Sequence, residues 1–176
     1  MPLSKSVLAK YPNTVFIETG LGDGDGLRIA YALAFTSIYS IELEQSRVDA
    51  FQKKVMEEGK HNIHLLCGDS ASKLQTILES HTTDTGITLW LDAHPPCSPI
   101  PLNECPLLVE LSVIAKYCYA PTILIDDMRL FSFDDRMRIE TAVLEIQGIT
   151  HILYEDSPVA NNDIMVGKGS YKRIIE

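Results

Sequence analysis

Five short apolar runs in this chain each give way to a carboxylate: Glu18 after Phe16 and Ile17, Glu42 after Ile41, Asp69 just past Cys67, Asp92 after Leu91, and the pair Asp126-Asp127 after Ile125. Like charges repel, and a carboxylate at a strand end loses hydration, so stability alone is a poor reason for so many. A ligand rich in hydrogen-bond donors, or a cation, is a better one. His94, in Leu91-Asp-Ala-His94, adds a group that titrates near neutrality and suits general-base work. The first acid opens the run Glu18-Thr-Gly20-Leu-Gly22-Asp-Gly24-Asp-Gly26. Glycines so spaced let the backbone turn tightly and a ligand come close to it. The run is not a dinucleotide fingerprint: counting Gly-x-Gly-x-x-Gly from Gly20 puts Asp25 at the third glycine, and counting from Gly22 puts Leu27 there. Pyrophosphate would also sit badly beside Glu18, Asp23 and Asp25.

These residues need elements to hold them. Short β-branched runs alternate with helical patterns, the signature of βαβ units around a mainly parallel sheet. The sequence predicts strands at Thr14–Glu18, Ser37–Leu43, Ile63–Cys67, Ile87–Leu91 and Thr122–Ile125. A helix after the glycine run has Leu27, Ala30, Tyr31 and Ala34 on one face, with Asp23 or Asp25 as its cap. A second carries Val48, Phe51 and Val55 and ends at Gly59. Ser70 is placed to cap a third, with Leu74, Ile77 and Leu78 inward. From His94 to Leu102 four prolines forbid regular structure, and Pro106 then opens a helix with Leu107, Leu108, Leu111, Ile114 and Ala115 inward. A further helix starts near Asp134 and stops by Gly148. Ile149–Tyr154 and Asp163–Val166 read as two last strands, too closely joined for a helical crossover and therefore antiparallel. Trp90, within a central strand, reads as core.

The chain has 176 residues, one domain at roughly 100 to 200 residues per domain. Its net charge of -9, without a basic run, argues against nucleic acid or anionic lipid as the main partner. With 45% hydrophobic and 22% charged residues it has the composition of an ordinary globular domain. The longest weakly polar stretch, from Ile29 to Ile41, falls short of the roughly 20 residues a membrane span needs. Four cysteines without a Cys-x-x-Cys, and too little apolar length near the N-terminus for a secretory signal, give the expectation of a reduced, cytoplasmic protein.

The ordered set of strand-end acids and glycines resembles the class I S-adenosylmethionine-dependent methyltransferases. Glu18-Thr-Gly20-Leu-Gly22-Asp-Gly24 matches that family's acid-x-Gly-x-Gly-x-Gly turn at every fixed position, and the resemblance runs roughly from Val15 to Val166. It implies a Rossmann-like three-layer α/β sandwich whose seven-stranded, mainly parallel sheet ends in an antiparallel hairpin. It also implies S-adenosylmethionine held by Glu18, Gly20, Gly22, Gly24, Glu42 for the ribose, and Asp69 with Ser70 for the adenine. A narrower likeness is to small O-methyltransferases that bind a divalent cation. In those, Asp92 and the pair Asp126 and Asp127 would ligate magnesium or a similar hard ion. Where many of them have a lysine after the strand-four acid, this chain has Pro95-Pro96-Cys97, and His94 with Asp92 is the catalytic candidate instead. The expected reaction is methyl transfer to an oxygen of a small-molecule acceptor, with homo-oligomerisation left open.

Other readings stay beside these. Asp126 and Asp127 could pair with Arg129, Arg136 or Arg138 rather than a metal, and His94 with Cys97 and Cys105 offers an incomplete zinc set. Glu104 reads as a helix-start acid. A cofactor-binding module without catalysis, and a nucleotide-sugar or nicotinamide enzyme on the same fold, are the alternatives in function.

Overall fold

The computed structural model describes residues 3–82, 85–95 and 97–169. Pro96, one of the four prolines of the loop after the fourth strand, lies outside them. Strands β1 (Val15–Thr19), β2 (Ser37–Glu42), β3 (Ile63–Cys67), β4 (Ile87–Leu91), β5 (Thr122–Ile125), β6 (His151–Glu155) and β7 (Ile164–Lys168) form one sheet in the order β3-β2-β1-β4-β5-β7-β6. The first five are parallel, and β7 runs antiparallel to both β5 and β6. The expected sheet and its terminal hairpin are therefore present. The order in which successive strands are added to the sheet reverses between β1 and β4, where parallel α/β sheets open a crevice for ligands.

Helices cover both faces. Alternation along each strand sends Val15, Ile17, Leu89, Ile123 and Ile125 to a core shared with α4 (Ser70–Glu79), α5 (Leu107–Tyr117) and α6 (Phe133–Leu144). It sends Phe16, Ile38, Trp90 and Leu124 to a second core with α1 (Lys5–Leu8), α2 (Asp25–Ala32) and α3 (Gln45–Glu57). No described helix is long and apolar enough to cross a membrane.

Several local expectations are corrected. Neither Asp23 nor Asp25 caps α2; Gly24 does, with φ +72° and no side-chain bond, because the turn arrives left-handed and Asp25 is already in the helix. Ser70 is likewise the first residue of α4, and the cap is Asp69, whose Oδ1 accepts from the Ser72 N–H at 2.8 Å. Tyr31 is half-exposed and Ala34 lies past the helix end with φ +59°, so the buried stripe of α2 is Leu27 and Ala30. Ala115 is exposed and Leu108 only partly buried, which narrows the inward face of α5 to Leu107, Leu111 and Ile114, with Glu110 between them. α6 starts one residue early because Ser132 caps it, accepting from the Asp135 N–H at 3.1 Å. The strand ends shift by one or two residues where the ladders begin and stop, as at β1, β6 and β7. The short α1 has no counterpart in the sequence reading.

Candidate active site

The carboxyl ends of β1, β2, β4 and β5 gather the acids. Glu18, on β1, is 1% exposed, and its Oε1 accepts from the Ser40 hydroxyl at 2.6 Å. Burial pushes its carboxyl up to about 8, against the pull of that hydrogen bond and with help from Asp92. A Cβ at Gly26 would stand 2.2 Å from Glu18 Oε2, so the bare backbone there makes room for the carboxyl. The turn that follows depends on Gly20. Its φ is +86°, and a Cβ on it would lie 2.6 Å from the Asp92 carbonyl oxygen, which brings the turn hard against the end of β4. At Gly22, by contrast, a Cβ would meet nothing of the described residues within 4 Å. Glu42, at the end of β2, holds this open turn from the side: its Oε2 accepts from the Gly22 N–H at 3.4 Å and its Oε1 from the Glu44 N–H at 3.0 Å. Asp69 and Ser70 stand beyond β3 at the start of α4, Asp69 occupied on one oxygen by its capping bond.

A second group lies at the ends of β4 and β5. His94 Nε2 is 3.0 Å from Asp92 Oδ1 and 3.2 Å from Asp127 Oδ2, while its Nδ1 is 3.2 Å from the Pro95 carbonyl oxygen. Nδ1 faces only an acceptor and so carries a proton. Nε2 faces two carboxylates, which favours a second. Neither carboxylate meets the angle of a hydrogen bond at Nε2, so the contact is one of charge. Burial opposes the imidazolium, but Asp127 and Asp92 outweigh it and push His94 up to about 10. His94 and Arg129 in turn hold Asp127 below the ordinary carboxylate range. Asp127 adopts φ +54°, and its carboxylate meets both His94 and Arg129. Arg129 bridges Asp127 and the buried Asp163, and Asp163 also accepts from the Ser157 hydroxyl at 2.6 Å.

Asp126 is fully buried. Its Oδ1 accepts from the Asp127 N–H at 2.7 Å, and its Oδ2 has no hydrogen-bond partner among the described residues. Burial, with Asp92 and Asp127 nearby, raises its carboxyl to about 8. Ligand-type atoms of Asp92, His94 and Asp127 lie within 4.8 Å of one another, as do those of Asp126, Asp127 and Asp163. The set expected for a metal, Asp92 with Asp126 and Asp127, is thus divided between two clusters that share Asp127. Of the arginines weighed as competitors, Arg129 is the one that pairs with Asp127. No cluster of three ligands among the described residues includes a cysteine.

Sequence reasoning missed Glu110. It lies on the inward stripe of α5 between Leu107 and Leu111, is 1% exposed, and its Oε1 has no hydrogen-bond partner among the described residues. Burial raises its carboxyl to about 7, moderated by the Ser70 and Thr19 hydroxyls beside it. An acid on an otherwise apolar helical stripe was the available signal.

Comparison with solved structures bears on the fold. An O-methyltransferase from Bacillus cereus, in complex with S-adenosylhomocysteine, is 12% identical, with 94% of this chain and 78% of that chain covered at a TM-score of 0.66. The O-methyltransferase TomG from Streptomyces achromogenes, involved in tomaymycin synthesis and in complex with S-adenosylmethionine, is 12% identical, with 95% and 78% covered at 0.68. An rRNA methylase from Streptococcus thermophilus is 13% identical, with 94% of each chain covered at 0.55. At such identities the likeness is one of fold, shared with these methyltransferases over nearly the whole chain. Residues 12–92, which carry the glycine turn and the acids from Glu18 to Asp92, match the model of a family described as "Putative methyltransferase". No curated protein sequence matches the chain.

Proposed function

We propose that the chain transfers a methyl group from S-adenosylmethionine to an oxygen of a small-molecule acceptor. One observation carries this reading: the open glycine turn with Glu42 lies on one side of the β1 end, and the Asp92–His94–Asp127 group lies on the other, at the neighbouring β4 end. The residues fit such a cofactor. The space over Gly22 is clear, and Glu42 keeps lone pairs beyond those taken by the two backbone donors. Two structural relatives were crystallised with this cofactor or its demethylated product.

S-adenosylmethionine, when bound, supplies an electrophilic methyl group on sulfur. In this reading Glu42 accepts from the two ribose hydroxyls, Asp69 and Ser70 flank the adenine, and the Glu18–Gly24 turn seats the amino-acid end. Glu18 stands at the start of that turn, with its carboxyl held by the Ser40 hydroxyl. The acceptor hydroxyl gives its proton to Asp92. His94, expected from its type to be the base, already holds its proton near neutrality. It therefore acts as a fixed positive charge that stabilises the oxygen as it loses its proton. Orientation of acceptor and donor supplies most of the acceleration. A divalent cation is a second reading, favoured by the convergence of Asp92, His94 and Asp127. Against it, His94 and Arg129 already bring positive charge to those aspartates. Incubation with labelled S-adenosylmethionine and a panel of small hydroxyl compounds tests the assignment. Transfer to oxygen supports it, transfer only to nitrogen, carbon or RNA contradicts it, and cofactor binding without any turnover makes the chain a binding module.

A further inference from the structure

Glu110 and Asp126 line a small space to which the proposed reaction gives no role. It lies between the ends of β4 and β5 and the first turn of α5, with Leu91, Leu107, Ile125 and Phe131 as apolar walls. Its polar side chains are His94, Glu110 and Asp126, with Cys105 beside them. Each of the first three brings a buried atom that has no hydrogen-bond partner among the described residues: His94 Nε2, Glu110 Oε1 and Asp126 Oδ2. Atoms left in that state are costly.

Size and charge together select what can relieve them. The room is about 10 Å3, close to the roughly 10 to 15 Å3 that one water needs and too little for an organic group. A cation is disfavoured as well. His94 brings a positive charge, and burial raises the two carboxyls to about 7 and about 8, so near neutrality little negative charge remains to balance another. Water needs no charge. It has two protons to give and two lone pairs to fill, so it can serve a ring N–H and two carboxyl groups, protonated or not. Three such bonds are what a buried water typically makes. The Ser70 and Thr19 hydroxyls, from the start of α4 and the end of β1, also stand beside Glu110.

We infer that a single internal water binds here, bonded to Glu110 Oε1, Asp126 Oδ2 and His94 Nε2, and that through it Glu110 is a positioning residue for the His94 ring. The Pro95 carbonyl oxygen, 3.2 Å from Nδ1, holds one edge of the ring, and the water holds the other. The positive charge of the ring then stays fixed beside Asp92, where the acceptor oxygen loses its proton. This positioning role rests on the methyl-transfer reading of the site; the water itself does not.

The test is a crystal structure of the full chain with S-adenosylhomocysteine, at a resolution that shows ordered water. It is joined by NMR of the His94 ring N–H groups in the wild type, Glu110→Gln and Glu110→Met. Glutamine keeps a hydrogen-bonding oxygen at this position, whereas methionine keeps the length and loses it. One water is expected within about 2.7 to 3.2 Å of the three atoms. The His94 Nε2–H signal should exchange slowly in the wild type and Glu110→Gln, and about tenfold faster or more in Glu110→Met. With an acceptor in hand, Glu110→Met should lower kcat about tenfold or more, and further than Glu110→Gln does, while S-adenosylhomocysteine binds as before. If Glu110→Met does not fold, the wild-type crystal structure and Glu110→Gln carry the test. No water at this position, a metal ion there, or Glu110 bonded directly to Asp126 overturns the inference. So does a folded Glu110→Met protein whose His94 signals match the wild type. Protein that binds no S-adenosylhomocysteine loses the methyl-transfer reading, and the positioning role with it, whatever the water does.

Discussion

At the scale of single residues, the proposed chemistry turns on the arrangement of charge around His94. The residue type suggested a base working near neutrality, but type does not reveal neighbours, and two aspartates brought in from separate strand ends change its role. With its proton retained up to about pH 10, His94 as a fixed charge predicts a rate that holds through neutral and mildly alkaline pH and falls above that value. A rate that instead climbs toward pH 10 would restore His94 as the base. His94→Gln should keep cofactor affinity and lower kcat by about tenfold to a thousandfold, the range for loss of one charge-stabilising donor or less; an unaltered kcat would remove His94 from the reaction. Glu110 shows the converse. It was hidden because a single acid among leucines reads as a surface residue until the turn of the helix places it inward.

At the scale of elements, the strands were legible in the sequence because continuous apolar runs such as Ile87–Leu91 can only be covered on both faces, and β4 is buried along its whole length. Helix caps were less legible. Asp69 and Ser70 are both good caps by type, and only the backbone geometry assigns the bond to Asp69. The glycine turn was legible in kind, but its tight approach to the Asp92 carbonyl was not, since that contact joins β1 to β4. Gly20→Ala should therefore destabilise the fold by about 2 kcal/mol or more, through both its positive φ and the clash, as read from denaturant melts. A neutral effect would mean that the turn relaxes freely. The β5 end carries a different prediction. With Arg129 bridging Asp127 and Asp163, chelator should leave methyl transfer unchanged, and Arg129→Leu should lower the melting temperature at any magnesium concentration. Loss of activity on chelation, restored by magnesium, would move the aspartates to a metal.

At the scale of the whole molecule, two cores on either side of one sheet provide the rigidity that lets several buried acids persist. They leave a signature in the pH dependence of stability. Glu18, Glu110 and Asp126 have carboxyls raised by burial, so the folded state holds protons that the unfolded chain releases above about pH 4 to 5. His94, raised to about 10, does the same between about pH 6.5 and 10. Each makes the folded state progressively less favoured as pH rises through those windows, so the melting temperature should fall from about pH 6 to about pH 9. A melting temperature that rises over that range would contradict the buried-acid account. The central claim is that the open turn and Glu42 form a cofactor cradle, and calorimetric titration with S-adenosylhomocysteine tests it most directly. Wild-type protein should bind with measurable heat, and Glu42→Ala, which loses two charge-assisted hydrogen bonds worth about 1.5 to 3 kcal/mol each, should bind at least about tenfold more weakly while staying folded. The contrary result is no heat and no thermal shift at millimolar ligand, or a folded Glu42→Ala protein with unchanged affinity.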